Sequence, residues 1–265
     1  MDTFDLQREL NRLLSPSPAL TVDGDFGRAS EATARRLLAA YPEAGRWGRD
    51  RVRLAAMQEV CRRAGHDPGP IDGLNGPQTR AALDAWAAVA AGENPNWRDA
   101  LPPPAPSPAV ANSWPRQANA RQAFGEPGAR LITVTLPYPM RLSWEPATVV
   151  RRMSIHRDVA ASAVRVLERA AAHYGEAGLK ELGLDLFGGC YNNRAMRGGT
   201  ALSMHAYGVA LDFDPDRNQL RWGRDRARLA RPDAAPWWDM WEAEGWVSLG
   251  RAANYDWMHV QAARL

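Results

Sequence analysis

"LSMHAYGVALDFDP", residues 202–215, sets a histidine seven positions ahead of an aspartate, with a glycine between them and an apolar alternation around the aspartate. Read as a strand, Val209, Leu211 and Phe213 face one side and Ala210, Asp212 and Asp214 the other, because successive strand side chains alternate. Asp212 then projects toward a site while the opposite face joins a core. His205 precedes Gly208, where the chain is free to bend sharply, so a loop histidine and a strand aspartate can converge. Such a pair is not the i, i+4 arrangement of a helical metal motif.

Working outward, "RLITVTLPYP" (130–139) alternates as a strand does, and "LGLDLFGGCYN" (182–192) and "DWMHVQ" (256–261) are further strand candidates. "DVAASAVRVLERAAAHYG" (158–175) places Val159, Ala163, Val166, Ala170 and Tyr174 on one helical face, with Gly175 the expected stop. Strands and helices do not alternate regularly here, so residues 112–265 read as an α+β domain with a small, mostly antiparallel sheet. "RWGRDRARLAR" (221–231) reads as a solvated helix face, its basic residues interleaved with acids and alanines. The helical spacing of Trp237 and Trp241 in "PWWDMWEAEGW" (236–246) favours core packing over sugar stacking.

The 265 residues are 45% apolar, enough for a real core, and their net charge of +3 is mild. That balance suits an anionic polymer such as a cell wall, and it comes with no nucleic-acid-binding motif. Cys61 and Cys190 fall in different expected domains and read as free thiols. The start, "MDTFDLQREL", lacks a basic n-region and an apolar h-region, and no stretch approaches a membrane span. The expectation is a monomeric protein made in the cytoplasm, acting outside it only after release or export.

Residues 6–37 and 54–86 repeat one another: Asp23, Gly24 and Gly27 recur as Asp72, Gly73 and Gly76, and Ser30 recurs as Thr79. Each copy reads as a helix, an Asp-Gly turn, and a second helix whose start is marked by Ser30 or Thr79. Gly27 and Gly76 are expected to hold backbone angles that a side chain disfavours. "VDGDFGRASEATA" and "IDGLNGPQTRAAL" resemble the peptidoglycan-binding helical repeat, over roughly residues 3–90. The first copy departs from that pattern, with Arg28 where proline is usual and a loop two residues longer. The organisation expected is an all-α repeat domain over 1–91 (copies about 3–41 and 53–90), a proline-rich linker over 92–111 and the α+β domain after it.

A catalytic zinc site takes three nitrogen or oxygen ligands and keeps a position open. His205 and Asp212 supply two of them. Of the remaining histidines, His259 is the most suggestive, because an acid, Asp256, stands three residues before it; His66, His156 and His173 read as structural. Ser203, His205, Gly208, Ala210, Asp212, Asp256 and His259 fill the pattern SxHxxGxAxD…[DE]xxH, which resembles the signature of zinc D-Ala-D-Ala carboxypeptidases and phage L-alanyl-D-glutamate endopeptidases. The likeness extends through "GGCYNNRAMRGGTALS" and "WEAEGWVSLG" and covers most of residues 112–265.

That resemblance implies one zinc ion per chain, held by His205, Asp212 and His259. It makes Asp256 the general acid/base and Arg194 in "GCYNxR", rather than Arg197, the cation for the developing oxyanion; Ser203 and Tyr207 are candidate substrate-binding residues. Asp256 and His259 would face opposite ways on a regular strand, so Asp256 is expected in a turn or bulge just before it. The implied function is hydrolysis of the stem peptide of bacterial peptidoglycan, in the manner of a phage or prophage endolysin. The alternatives are a D-Ala-D-Ala carboxypeptidase of wall remodelling and an inactive wall-binding or structural protein.

Overall fold

Two buried glutamines organise the first hundred residues. The structure, a computed structural model, describes residues 1–101 and 114–265, so the second half of the expected linker, 102–111, lies outside the described residues. The chain divides into two compact units, residues 1–100 with 197–199, and residues 101–196 with 200–265. The first unit contains α1 (Thr3–Leu14), α2 (Arg28–Leu37), α3 (Arg49–Arg63) and α4 (Pro77–Ala90), and among its described residues no strand. Leu6, Leu10, Leu37, Val52 and Val60 make its core.

In the first copy, Gln7 of α1 accepts from the backbone N–H groups of Asp23 (3.0 Å) and Gly24 (2.9 Å) and donates to Asp23 Oδ1, the Asp25 carbonyl and Ser30 Oγ. In the second, Gln58 of α3 accepts from Asp72 (3.1 Å) and Gly73 (2.7 Å) and donates to Asp72 Oδ1, the Leu74 carbonyl and Thr79 Oγ1. The duplication is therefore a repeated hydrogen-bond lock as well as a repeated motif.

Two expectations about this module are corrected. The second helices start at Arg28 and Pro77, two residues before Ser30 and Thr79, with Gly27 and Gly76 as N-caps; Ser30 and Thr79 lie inside the first turn, where their hydroxyls serve the lock. Gly27 and Gly76 are extended (φ −77° and −70°), an ordinary conformation. In the two Asp-Gly turns the left-handed glycines are Gly24 (φ +78°) and Gly73 (φ +68°), where a Cβ would run into the Phe4 ring and the Arg51 carbonyl respectively.

The second unit is α+β. Its six strands, β1 (Leu131–Leu142), β2 (Glu145–His156), β3 (Leu186–Gly189), β4 (Ala210–Phe213), β5 (Val247–Ser248) and β6 (His259–Gln261), form one sheet in the order β2-β1-β3-β4-β6-β5. Only the β1–β3 pairing is parallel. Pro137 and Pro139 lack the N–H that a ladder needs, and the β1–β2 register shifts between Thr135 and Met140.

Its helices are α5 (Ala120–Phe124), α6 (Arg157–Leu182), α7 (Ala235–Ala243) and α8 (Leu249–Ala253). Val159, Ala163, Val166 and Ala170 form the buried stripe of α6, as their spacing predicts. Gly175 breaks the helix (φ 61°, ψ 178°) without ending it, and the chain resumes helix to Leu182. Trp237, Trp238 and Trp241 of α7 and the following Trp246 are at most 1% exposed, so these rings are core. The Phe213 and Trp237 ring centroids stand 4.9 Å apart in an edge contact that ties β4 to α7.

The basic stretch 221–231 is not a helix. It forms turns and a short 3-10 segment, Arg228–Ala230, because Gly223 precedes it, Pro232 follows it, and the Asn218 side chain takes the Leu229 N–H at 2.7 Å. Both cysteines are buried free thiols. Among the described residues no helix is long and apolar enough to cross a membrane.

Candidate metal centre

The strand register assembles the site. β4 runs antiparallel to β6 with Asp212 opposite His259 and Ala210 opposite Gln261. Residues two apart on a strand share a face, so Asp212, His259, Ala210 and Gln261 point the same way. His205 arrives from the loop as part of the 3-10 turn Met204–Tyr207, whose N-cap Ser203 accepts the His205 N–H at 3.3 Å. The turn closes at Gly208 (φ +68°), where a Cβ would meet the Leu131 side chain, and the chain reverses into β4. All three ligand candidates are nearly buried, between 2% and 5% exposed.

Three atoms meet there. His205 Nε2 lies 3.2 Å from His259 Nδ1 and 3.1 Å from Asp212 Oδ1, and His259 Nδ1 lies 2.9 Å from Asp212 Oδ1. Four-coordinate bonds of about 2.0–2.1 Å place neighbouring ligand atoms roughly 3.3–3.4 Å apart, slightly wider than this triangle.

The outer nitrogens decide what the triangle contains. His205 Nδ1 is 2.6 Å from the Cys190 carbonyl, which only accepts, so Nδ1 carries the proton and Nε2 a lone pair. Gln261 donates its amide N–H groups to the Ala263 carbonyl (2.9 Å) and Gln117 Oε1 (3.2 Å), which leaves its Oε1 facing His259 Nε2 at 3.1 Å. His259 Nε2 therefore donates, and its Nδ1 also turns a lone pair inward.

Two imidazole lone pairs and a carboxylate oxygen thus converge on one point. A proton shared among them would make a buried imidazolium, and burial pushes His205 the other way, below its ordinary value, against the pull of Asp212; the positive charge of Arg194 adds to the lowering. Burial alone would raise the Asp212 carboxyl, yet His205 and His259 hold it well below the usual carboxylate range. The buried His205–Asp212–His259 group can hold a metal ion, and its donor set fits one.

The other expected residues fall as follows. Asp256 is buried and sits in the turn before β6 with a left-handed φ of 56°, and its carbonyl accepts the His259 N–H at 3.0 Å. Arg194 carries a carbonyl that accepts the Ser203 N–H, and its charge is felt at His205. Tyr207 is 5% exposed and packs in the hydrophobic core. Asp214 does not share the Asp212 face: it lies past the end of β4 at φ 46°, with its carboxylate 2.6 Å from Arg217. Burial pushes that carboxyl up to about 6 despite Arg217.

His156 is structural, donating from Nε2 to the Phe124 carbonyl and accepting the Asp158 N–H at Nδ1. His173 is exposed on α6, its ring edge-on to Tyr174. Cys190 and Gln261, which orient the two ligand histidines, escape a reading that looks only for ligating side chains. Gln261 has a sequence signal, standing two residues after His259 on a strand; the Cys190 contact is through its carbonyl and has none. Compared with protein-family models, curated proteins and solved structures, the chain matches none.

Proposed function

We propose that the chain is a zinc-dependent peptidase that hydrolyses the stem peptide of bacterial peptidoglycan, as an L-alanyl-D-glutamate endopeptidase of the endolysin kind. The observation that carries this reading is the convergence of three proton-free lone pairs from His205, Asp212 and His259. Two imidazoles and one carboxylate form a donor set suited to zinc with a position left open. A cation held there would polarise a peptide carbonyl and make water acidic enough to attack near neutral pH.

The chain's own groups supply the remainder. The Asp256 carboxylate takes a proton from the attacking water and delivers it to the nitrogen of the leaving amine. The Arg194 guanidinium offsets the negative charge that builds on the carbonyl oxygen. Residues 1–91 serve to hold the enzyme on its insoluble substrate, raising its effective concentration there.

The test is digestion of purified peptidoglycan by the full chain, with and without chelator, reading new termini and fragment masses. The reading expects new alanine carboxy-termini and glutamate amino-termini that vanish with chelator. Release of single D-alanine would instead make it a carboxypeptidase, and no cleavage by zinc-loaded protein would overturn the hydrolase. Asp256→Ala is expected to keep the metal and lose about 10²- to 10⁴-fold in turnover; full activity in that variant would remove Asp256 from the mechanism.

A further inference from the structure

Gln261 is 2% exposed and has no role in the chemistry above. It stands two residues after His259 on β6, on the same face, with Ala210 opposite it on β4. Both amide hydrogens of Gln261 are committed, to the Ala263 carbonyl at 2.9 Å and to Gln117 Oε1 at 3.2 Å. The reversed amide would set its oxygen against the Ala263 carbonyl, which only accepts, so one orientation is fixed.

We infer that Gln261 is a positioning residue that selects the tautomer of His259 and so presents Nδ1, unprotonated, to the cation. The inference rests on the metal-centre reading proposed above. The argument is one of competition. Without an acceptor at Nε2, the metal-free His259 can move its proton to Nδ1, where Asp212 Oδ1 waits at 2.9 Å to accept it. The pair would then close on itself, and a cation would have to displace that proton before binding. With Oε1 of Gln261 in place, the proton is held outside and the lone pair stays inside. Loss of such an outer partner weakens metal binding by about 10- to 100-fold.

Two variants of the full chain separate this role from packing. Gln261→Met keeps the length of the side chain and loses both acceptor and donor. Gln261→Glu keeps an acceptor toward His259 and loses the amide donor to Ala263, so it is expected to lower thermal stability without losing the metal. The zinc dissociation constant, measured by competition with a chromophoric chelator, should rise about 10- to 100-fold in Gln261→Met and stay near the wild-type value in Gln261→Glu.

Nitrogen-15 NMR of the metal-free protein gives a readout that metal loading does not touch. His259 should be protonated at Nε2 in the wild type and in Gln261→Glu, and at Nδ1 in Gln261→Met. Unchanged zinc affinity in Gln261→Met, an equal loss in both variants, or an Nδ1–H tautomer in the wild type would each overturn the inference while leaving the metal centre standing. A wild-type chain that binds no zinc would overturn the metal-centre reading itself.

Discussion

The two units each bury a polar cluster, and the clusters are built on opposite principles. Around Gln58 every interaction pairs a donor with an acceptor: the amide oxygen takes two backbone N–H groups, and the amide nitrogen gives to Asp72, Leu74 and Thr79. The Gln7 cluster repeats the scheme. Around Asp212 three acceptors face one another and the hydrogens point outward, to Cys190 and Gln261. A buried cluster that closes on its own hydrogens is accounted for by folding alone. One that turns its lone pairs inward offers a cation a place to bind.

The sharpest way to break this contrast is to add zinc. Ligand at 100 times its dissociation constant stabilises a folded chain by about 2.7 kcal/mol, so the thermal midpoint of the second unit should climb with zinc and stop climbing in His205→Ala. If His205→Ala responded as the wild type does, the triangle would not be the site.

The glutamine lock should give the reverse pattern. Gln58→Leu leaves the N–H groups of Asp72 and Gly73 without their acceptor and is expected to cost about 3 kcal/mol of first-unit stability. Zinc affinity should not change, and a large loss of zinc in this variant would undo the separation drawn here.

A smaller effect sharpens the comparison with a third cluster, which closes by charge. Glu244 accepts from Arg165, Arg169 and Ser162, whose hydroxyl also takes the Trp246 indole N–H. The Arg165 hydrogen bond holds the Glu244 carboxyl below the ordinary glutamate value, against the opposing push of burial. The folded chain then binds fewer protons than the unfolded chain, so this contribution is present above the unfolded value and is lost as pH falls through the folded one. Both arginines are about half exposed (50% and 49%), which screens the pair, so Glu244→Gln should flatten the loss of stability as pH falls below the ordinary glutamate value, by about 1 kcal/mol or less. An unaltered slope would show the pair to be silent.

Much of this was legible in the sequence, where local pattern and structure share a cause. Leu211, Asp212 and Phe213 alternate because a strand alternates, and Val159 to Ala170 recur because α6 has one buried face. The turn position of Asp256 followed from the parity of a three-residue spacing on a strand. β2 was not foreseen, because as the edge strand of the sheet it leaves Val149 half exposed and carries Arg151 and Arg152 where an apolar period would be sought. β5, with two residues, is too short to show a period. The disfavoured backbone angles expected at Gly27 and Gly76 belong to Gly24 and Gly73, since one sequence does not reveal which glycine of a turn is left-handed. The tautomers of His205 and His259 depend on a carbonyl and an amide that long-range folding brings in, and spacing does not encode them.

The most direct test is X-ray absorption at the zinc edge of the full chain loaded with one equivalent of the metal. The account predicts a shell of nitrogen and oxygen at about 2.0–2.2 Å with two imidazole signatures, and loss of stoichiometric zinc in His205→Ala. A sulfur shell near 2.3 Å, a single imidazole, or a wild-type chain that retains no zinc would contradict it.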